Sequence, residues 1–126
     1  MQDFCLSNIC DIFKGKIIQL STDYVFDGNS IEPYKENSVT GPLNVYGSTK
    51  LMGESLASNY CDDVIIFRVA SLFGIAGASG KGGNFVETMI RLGREKETIS
   101  VVSDQIMSPT STKHVSLVIF KLRHIC

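Results

Sequence analysis

Two short runs rich in β-branched residues, Lys16 to Leu20 and Val64 to Ala70, stand on either side of one helix-length segment, and that order limits the chain more than any other feature. The first run holds Ile17, Ile18 and Leu20; the second holds Val64, Ile65, Ile66, Phe67 and Val69. Each has the length and branching of a strand buried on both faces, as parallel strands usually are. Between them, Pro42 introduces a segment reaching to about Tyr60, in which the four-residue spacing of Tyr46, Lys50 and Glu54 puts them on one helical face.

Helix and strand alternate along the rest of the chain as well. Asp3 to Lys14 carries Phe4, Ile9, Ile12 and Phe13 at rough helical spacing, with Gly15 as a stop. Asn84 predicts the cap of a helix running to about Arg94, with Phe85, Met89, Ile90 and Leu92 on its apolar face. Ile99 to Val102 predicts a short strand, and a last helix after Pro109-Thr110 carries Val115, Val118, Ile119 and Leu122. A turn-rich loop spans Ser21 to Gly41, broken at Asp27-Gly28-Asn29 and Glu32-Pro33, and a glycine-rich loop spans Gly74 to Gly83. The pattern predicts an α/β fold with a mainly parallel sheet and flanking helices. With 126 residues, 44% of them hydrophobic, and no repeat or linker, a single domain over 1–126 is expected.

Twelve basic residues nearly balance thirteen acidic ones, which argues against nucleic acid or an anionic membrane as partner. Nothing at Met1-Gln2-Asp3-Phe4 reads as a signal peptide, and no stretch approaches a membrane span. Cys5, Cys10, Cys61 and Cys126 form no C-x-x-C pair and lack a nearby histidine at zinc spacing, so no metal site is expected. Free thiols in a reducing compartment, the cytoplasm, is the expectation.

Chemistry is suggested by Tyr46-Gly47-Ser48-Thr49-Lys50, a Y-x-x-x-K motif on the predicted central helix. A free phenol is a poor acid at neutral pH, and a cation one turn away favours release of its proton. Tyr46 is then a candidate donor to a carbonyl oxygen while hydride reaches the carbon. The plainer alternative is an amphipathic helix with a surface lysine. Ser21-Thr22-Asp23-Tyr24 lies at the C-terminal end of the first predicted strand, where open α/β sheets place their ligand sites. Thr22 is either a hydrogen-bond donor to the reacting carbonyl or the cap of the turn that follows.

The string from Ser21 through Val25-Phe26-Asp27-Gly28, then Pro33-Tyr34, Pro42-Leu43-Asn44-Val45-Tyr46-Gly47, Lys50-Leu51 and Gly53-Glu54, resembles the dTDP-4-dehydrorhamnose reductase branch of the extended short-chain dehydrogenase/reductase family. Arg68, Gly74, Asn84-Phe85-Val86, Met89, Val102, Asp104-Gln105 and Ser108-Pro109-Thr110 are similar to its later segments, so the likeness runs from about Gly15 to Ser111. It implies a partial Rossmann-like unit and NADPH-dependent (or NADH-dependent) reduction of a nucleotide-linked 4-keto-sugar in dTDP-rhamnose biosynthesis. It also implies that Thr22, Tyr46 and Lys50 are catalytic, with Tyr46 as proton donor and Lys50 also holding the nicotinamide ribose. Asn84, Asp104 and Gln105 would lie on the sugar-nucleotide side. Asn84 also reads as a plain helix cap, Asp104-Gln105 as a solvated turn, and Arg68 as either a phosphate ligand or the partner of a carboxylate.

Some features depart from that family. Gly74, Gly77 and Gly80 spell G-x-x-G-x-x-G after a strand, but Lys81-Gly82-Gly83 intervene before Asn84 starts a helix, so this is not the dinucleotide fingerprint. The family's first βαβ unit, which carries that fingerprint, would lie before Met1, and its C-terminal portion would lie beyond the last helix. A sheet cut there would expose a strand edge and apolar surface, an invitation to aggregation or to self-association such as a homo-oligomer. Met107 stands where the family often has glycine, and Leu72 where many members have tryptophan. Three other readings compete: another nucleotide-sugar reductase or epimerase, a non-catalytic protein like the regulatory subunit of methionine adenosyltransferase, and an inert remnant of a broken gene. His114 and His124 enter none of them.

Overall fold

A computed structural model describes residues 15–75 and 84–122. The helix expected over Asp3 to Lys14, most of the glycine-rich loop and His124 lie outside the described residues. The chain divides into two compact units, residues 1–69 and 70–126.

In the first unit, β1 (Ile17–Thr22) pairs in parallel with β2 (Val64–Val69), and the register runs from Ile17 opposite Val64 to Thr22 opposite Val69. The connection between them contains a 3-10 turn at Asp23–Val25 and the helix α1 (Val45–Tyr60). Helix α1 begins three positions after Pro42, because Asn44 takes the cap: its Oδ1 accepts from Gly47 N at 2.7 Å. Such a cap typically contributes ~1 kcal/mol. Gly47, Glu54, Ala57 and the following Cys61 are buried at intervals of seven, three and four residues, which is the helix face packed on β1 and on the 3-10 turn.

That face corrects one expectation and explains an odd residue. Neither strand is buried on both faces: β2 is half-buried throughout and Leu20 of β1 is exposed. Among the described residues, each of these strands has a single strand neighbour. Glycine inside a helix costs about 1 kcal/mol relative to alanine, yet Gly47 is required here. A Cβ at Gly47 would stand 2.1 Å from the Tyr24 carbonyl oxygen, so its absence lets the first turn of α1 rest on the turn after β1.

The second unit holds β3 (Leu72–Phe73), α2 (Phe85–Glu95), β4 (Thr110–Ser111) and α3 (Thr112–Leu122). Strands β3 and β4 pair in parallel, Leu72 opposite Thr110. Before β3, Ser71 adopts a left-handed backbone (φ 43°) and its carbonyl accepts from Thr110 N at 3.3 Å. The strand expected over Ile99 to Val102 is absent: those residues are irregular, and Val101 and Val102 are exposed. Their apolar run finds no neighbouring strand among the described residues, and β propensity without a partner does not make a strand. The apolar face expected on α2 is also only partly inward, with Phe85 66% and Ile90 52% exposed while Met89 and Leu92 are half-buried.

No helix among the described residues is long and apolar enough to cross a membrane. Cys61 is disulfide-bonded, so the free-thiol expectation fails for it; the other three cysteines lie outside the described residues.

Candidate active site

Three elements of the first unit converge at the C-terminal end of β1. Lys50 reaches from α1 to donate from Nζ to the Leu20 carbonyl at 2.9 Å, which fixes its ammonium over the last residues of the strand. One turn earlier on the same helix, Tyr46 is 54% exposed and makes an edge-on contact with Tyr24, ring centroids 5.9 Å apart at 76°. Tyr24 sits in the 3-10 turn that follows Thr22. The cap at Asn44 and the missing Cβ of Gly47 together set the start of α1, and hence Tyr46, against that turn.

Thr22 is 5% exposed and its hydroxyl is engaged: Oγ1 donates to Asp23 Oδ1 at 3.0 Å and accepts from Tyr24 N at 3.3 Å. In this structure Thr22 is therefore the cap of the turn after the strand, one of the two roles its position suggested.

Behind Lys50, α1 presents Glu54, 4% exposed, to Arg68 of β2. Arg68 Nε donates to Oε1 and Oε2 at 3.0 and 3.2 Å, and Nη2 donates to Oε2 at 2.7 Å. The paired-carboxylate reading of Arg68 is the one observed. Burial opposes ionisation of Glu54, but the Arg68 hydrogen bonds, the nearby Ser21 hydroxyl and the Arg68 charge outweigh it and hold this carboxyl below the usual glutamate range. Ser21 Oγ is buried and makes no hydrogen bond of ordinary geometry among the described residues. Glu54 in turn holds the Arg68 guanidinium above its ordinary value, against the opposing effect of burial.

Arg68 also fastens the loop between β1 and α1. Its Nη1 donates to Glu36 O at 3.1 Å, and its guanidinium lies 5.0 Å from the centre of the Phe26 ring. Phe26 stacks on Tyr34 at 4.3 Å, and the Tyr34 hydroxyl donates to Asp27 Oδ1 at 2.6 Å. That bond, with donation from Asn29 N and Asn29 Nδ2, holds the Asp27 carboxyl below its ordinary range.

The remaining expected site residues belong to the second unit. Asn84 caps α2 in a capping box: Oδ1 accepts from Glu87 N at 3.0 Å and Glu87 Oε2 accepts from Asn84 N at 3.1 Å. Its Nδ2 also donates to Gly74 O at 3.0 Å, and it borders an open depression with Gly74, Thr112 and Lys113. Asp104 and Gln105 are exposed on an irregular segment. The same segment reaches Ser71, whose hydroxyl donates to the Met107 sulfur.

Sequence reasoning missed the work of Gly47 and the pairing of Glu54 with Arg68. The signal for Gly47 was present, since a glycine in the first turn of an otherwise sound helix marks a close backbone approach. The signal for the pair was weaker: an arginine within a strand that otherwise reads as buried needs a partner, but nothing local says which.

The parallel strand–helix–strand unit, with a lysine held at its carboxyl end, has the form of a segment of a Rossmann-like fold. The chain matches the RmlD substrate binding domain family over residues 4–124 and belongs to that family. It is 45% identical over 97 residues to the dTDP-4-dehydrorhamnose reductase of Escherichia coli strain K12, covering 77% of this chain and 31% of that protein. It is 44% identical over 108 residues to a dTDP-4-keto-6-deoxy-D-glucose reductase of Streptomyces niveus, covering 85% of this chain and 36% of that protein. The crystal structure of dTDP-4-dehydrorhamnose reductase from Bacillus anthracis in complex with NADP superimposes with a TM-score of 0.78 at 41% identity, over 94% of this chain and 40% of that one. The fold class is therefore α/β and Rossmann-like, as expected, and the chain spans about a third of the length of the curated relatives it matches.

Proposed function

We propose that this chain is the catalytic part of a reductase that uses NADPH, or NADH in its place, to reduce the 4-keto group of dTDP-4-dehydrorhamnose in dTDP-rhamnose biosynthesis. The observation that carries this reading is the Lys50 ammonium anchored on Leu20 O at the carboxyl end of β1, with the exposed Tyr46 one turn before it. A ligand approaching that end of the strand meets a fixed cation and an accessible phenol. The NADP complex of the Bacillus anthracis relative supports the choice of cofactor.

The cofactor, when bound, supplies hydride to the carbonyl carbon. Tyr46 donates its phenolic proton to the carbonyl oxygen, so that the ketone becomes a secondary alcohol. Lys50 would hold the nicotinamide ribose and would stabilise negative charge on the phenol oxygen after the transfer. The Thr22 hydroxyl turns away from Asp23 to donate to the substrate oxygen and fix it beside Tyr46. On the sugar-nucleotide side we assign Asn84, Asp104 and Gln105; the depression beside Asn84, bordered by Thr112 and Lys113, offers polar groups for that role.

The test is a hybrid in which this chain replaces the matched segment of the Escherichia coli reductase. The hybrid should oxidise NADPH when given dTDP-4-dehydrorhamnose, and Tyr46→Phe should slow turnover roughly 100-fold or more, as loss of a general acid does. Equal turnover by the Tyr46→Phe hybrid would remove the reading.

A further inference from the structure

Lys50 and Glu54 are one turn apart on α1, a spacing at which Cβ atoms lie about 5–6 Å apart and opposite charges commonly pair. They are not paired. The Lys50 ammonium donates to Leu20 O at 2.9 Å, and the ion pairs among the described residues do not include Lys50. Both Glu54 oxygens instead receive Arg68, in three N–H···O contacts of 2.7, 3.0 and 3.2 Å. Glu54 is nearly inaccessible to solvent, where a carboxylate without a partner attracts a neighbouring cation far more strongly than it would in water.

We infer that Arg68 is a positioning residue for Lys50: by occupying both oxygens of Glu54, it leaves the Lys50 ammonium at the carboxyl end of β1 instead of drawn back along the helix. The inference rests on the reading of Lys50 as the cofactor-holding residue, which is what makes the site of its ammonium matter. Arginine suits the task because its planar fork engages both oxygens at once and keeps its charge. It is also held from its other side, by Glu36 O and by the Phe26 ring, itself stacked on Tyr34. Ser21 stands opposite Arg68 in the register and Leu20 is the residue before it, so the two cations work at adjacent levels of the strand pair.

The experiment is side-chain NMR of isotope-labelled lysine in the purified chain, with the Lys50 signal assigned by its loss in Lys50→Gln. It compares the natural protein with Arg68→Met, Arg68→Lys and the double variant Arg68→Met/Glu54→Gln. In Arg68→Met the Lys50 signal should shift, as expected of an ammonium drawn to a carboxylate. Arg68→Lys, a point charge that cannot engage both oxygens at once, should shift Lys50 less than Arg68→Met does. The double variant, with no carboxylate left to capture Lys50, should return to the natural signal. An unshifted Lys50 in folded Arg68→Met overturns the inference. So does a double variant whose Lys50 signal departs from the natural one, and this arm decides if Arg68→Met alone does not fold. NADPH titration of the same variants carried in the Escherichia coli hybrid separates the two readings. Absence of NADPH binding throughout, with the Lys50 pattern as expected, removes the reductase reading and leaves the positioning role. Binding lowered about tenfold in Arg68→Met and recovered in the double variant supports both.

Discussion

In the first unit, Ser21, Thr22, Val25, Gly47, Glu54, Ala57 and Cys61 are all buried, whereas no described residue of the second unit is. The helices contrast in the same way. Helix α1 packs a face of small and paired polar residues on β1, while α2 and α3 bury nothing fully and leave Phe85, Ile90, Leu117 and Val118 exposed. The βαβ unit is thus held by specific contacts, a charged fork and a close backbone approach. The described part of the second unit rests on caps and two-residue strands, which contribute less each. The residues proposed for chemistry fall in the tightly held unit, and those proposed for the sugar nucleotide in the looser one.

The largest expected effect breaks the charged fork. Arg68→Ala takes the forked cation from buried Glu54 and should cost up to about 3–5 kcal/mol, less what pairing with Lys50 restores, read from denaturant unfolding; a loss below about 1 kcal/mol, the range of exposed pairs, would remove the contrast between the units. Next come two glycines, one in each unit. Gly47→Ala places a Cβ against the Tyr24 carbonyl and should cost roughly 1–3 kcal/mol, the usual range for overpacking. Gly74→Ala meets the side-chain oxygen of Thr112 at 2.2 Å, a group that can rotate away, and should cost less. Reversal of that order in thermal unfolding would contradict the comparison.

A smaller effect is expected at Asn84, where alanine removes a capping box and should cost about 1 kcal/mol. Acid should also separate the units. The Glu54 carboxyl is held below its unfolded value, so the stability it contributes is complete above the unfolded pKa and is lost as pH falls through the lower folded value. A pH series should show that loss on the acid side, and Arg68→Met/Glu54→Gln should lack it. The smallest effect is Ile90→Gln on the exposed side of α2, expected within about 0.5 kcal/mol of the natural protein.

Where local pattern and tertiary contact agreed, the sequence was legible. The two runs of branched residues became β1 and β2 to within two residues, and Asn84 capped α2 as expected, because the signals for these elements lie in the residues themselves. Ile99 to Val102 failed because a strand needs a neighbour, and the apolar face of α2 was misjudged because helical spacing fixes direction, not what lies opposite. The Y-x-x-x-K motif was visible, and the structure adds what it could not show: Lys50 bonded to Leu20 O, and Arg68 closing on Glu54 from a strand fourteen positions later in sequence.

The most direct measurement is NADPH titration of the Escherichia coli hybrid carrying Lys50→Ala or Asn84→Ala. Lys50→Ala should weaken NADPH binding about tenfold or more, the effect of losing hydrogen bonds to a charged group, while Asn84→Ala should leave it close to that of the unaltered hybrid. NADPH affinity unchanged by Lys50→Ala, or lowered as much by Asn84→Ala, would contradict the assignment of the cofactor to the βαβ unit.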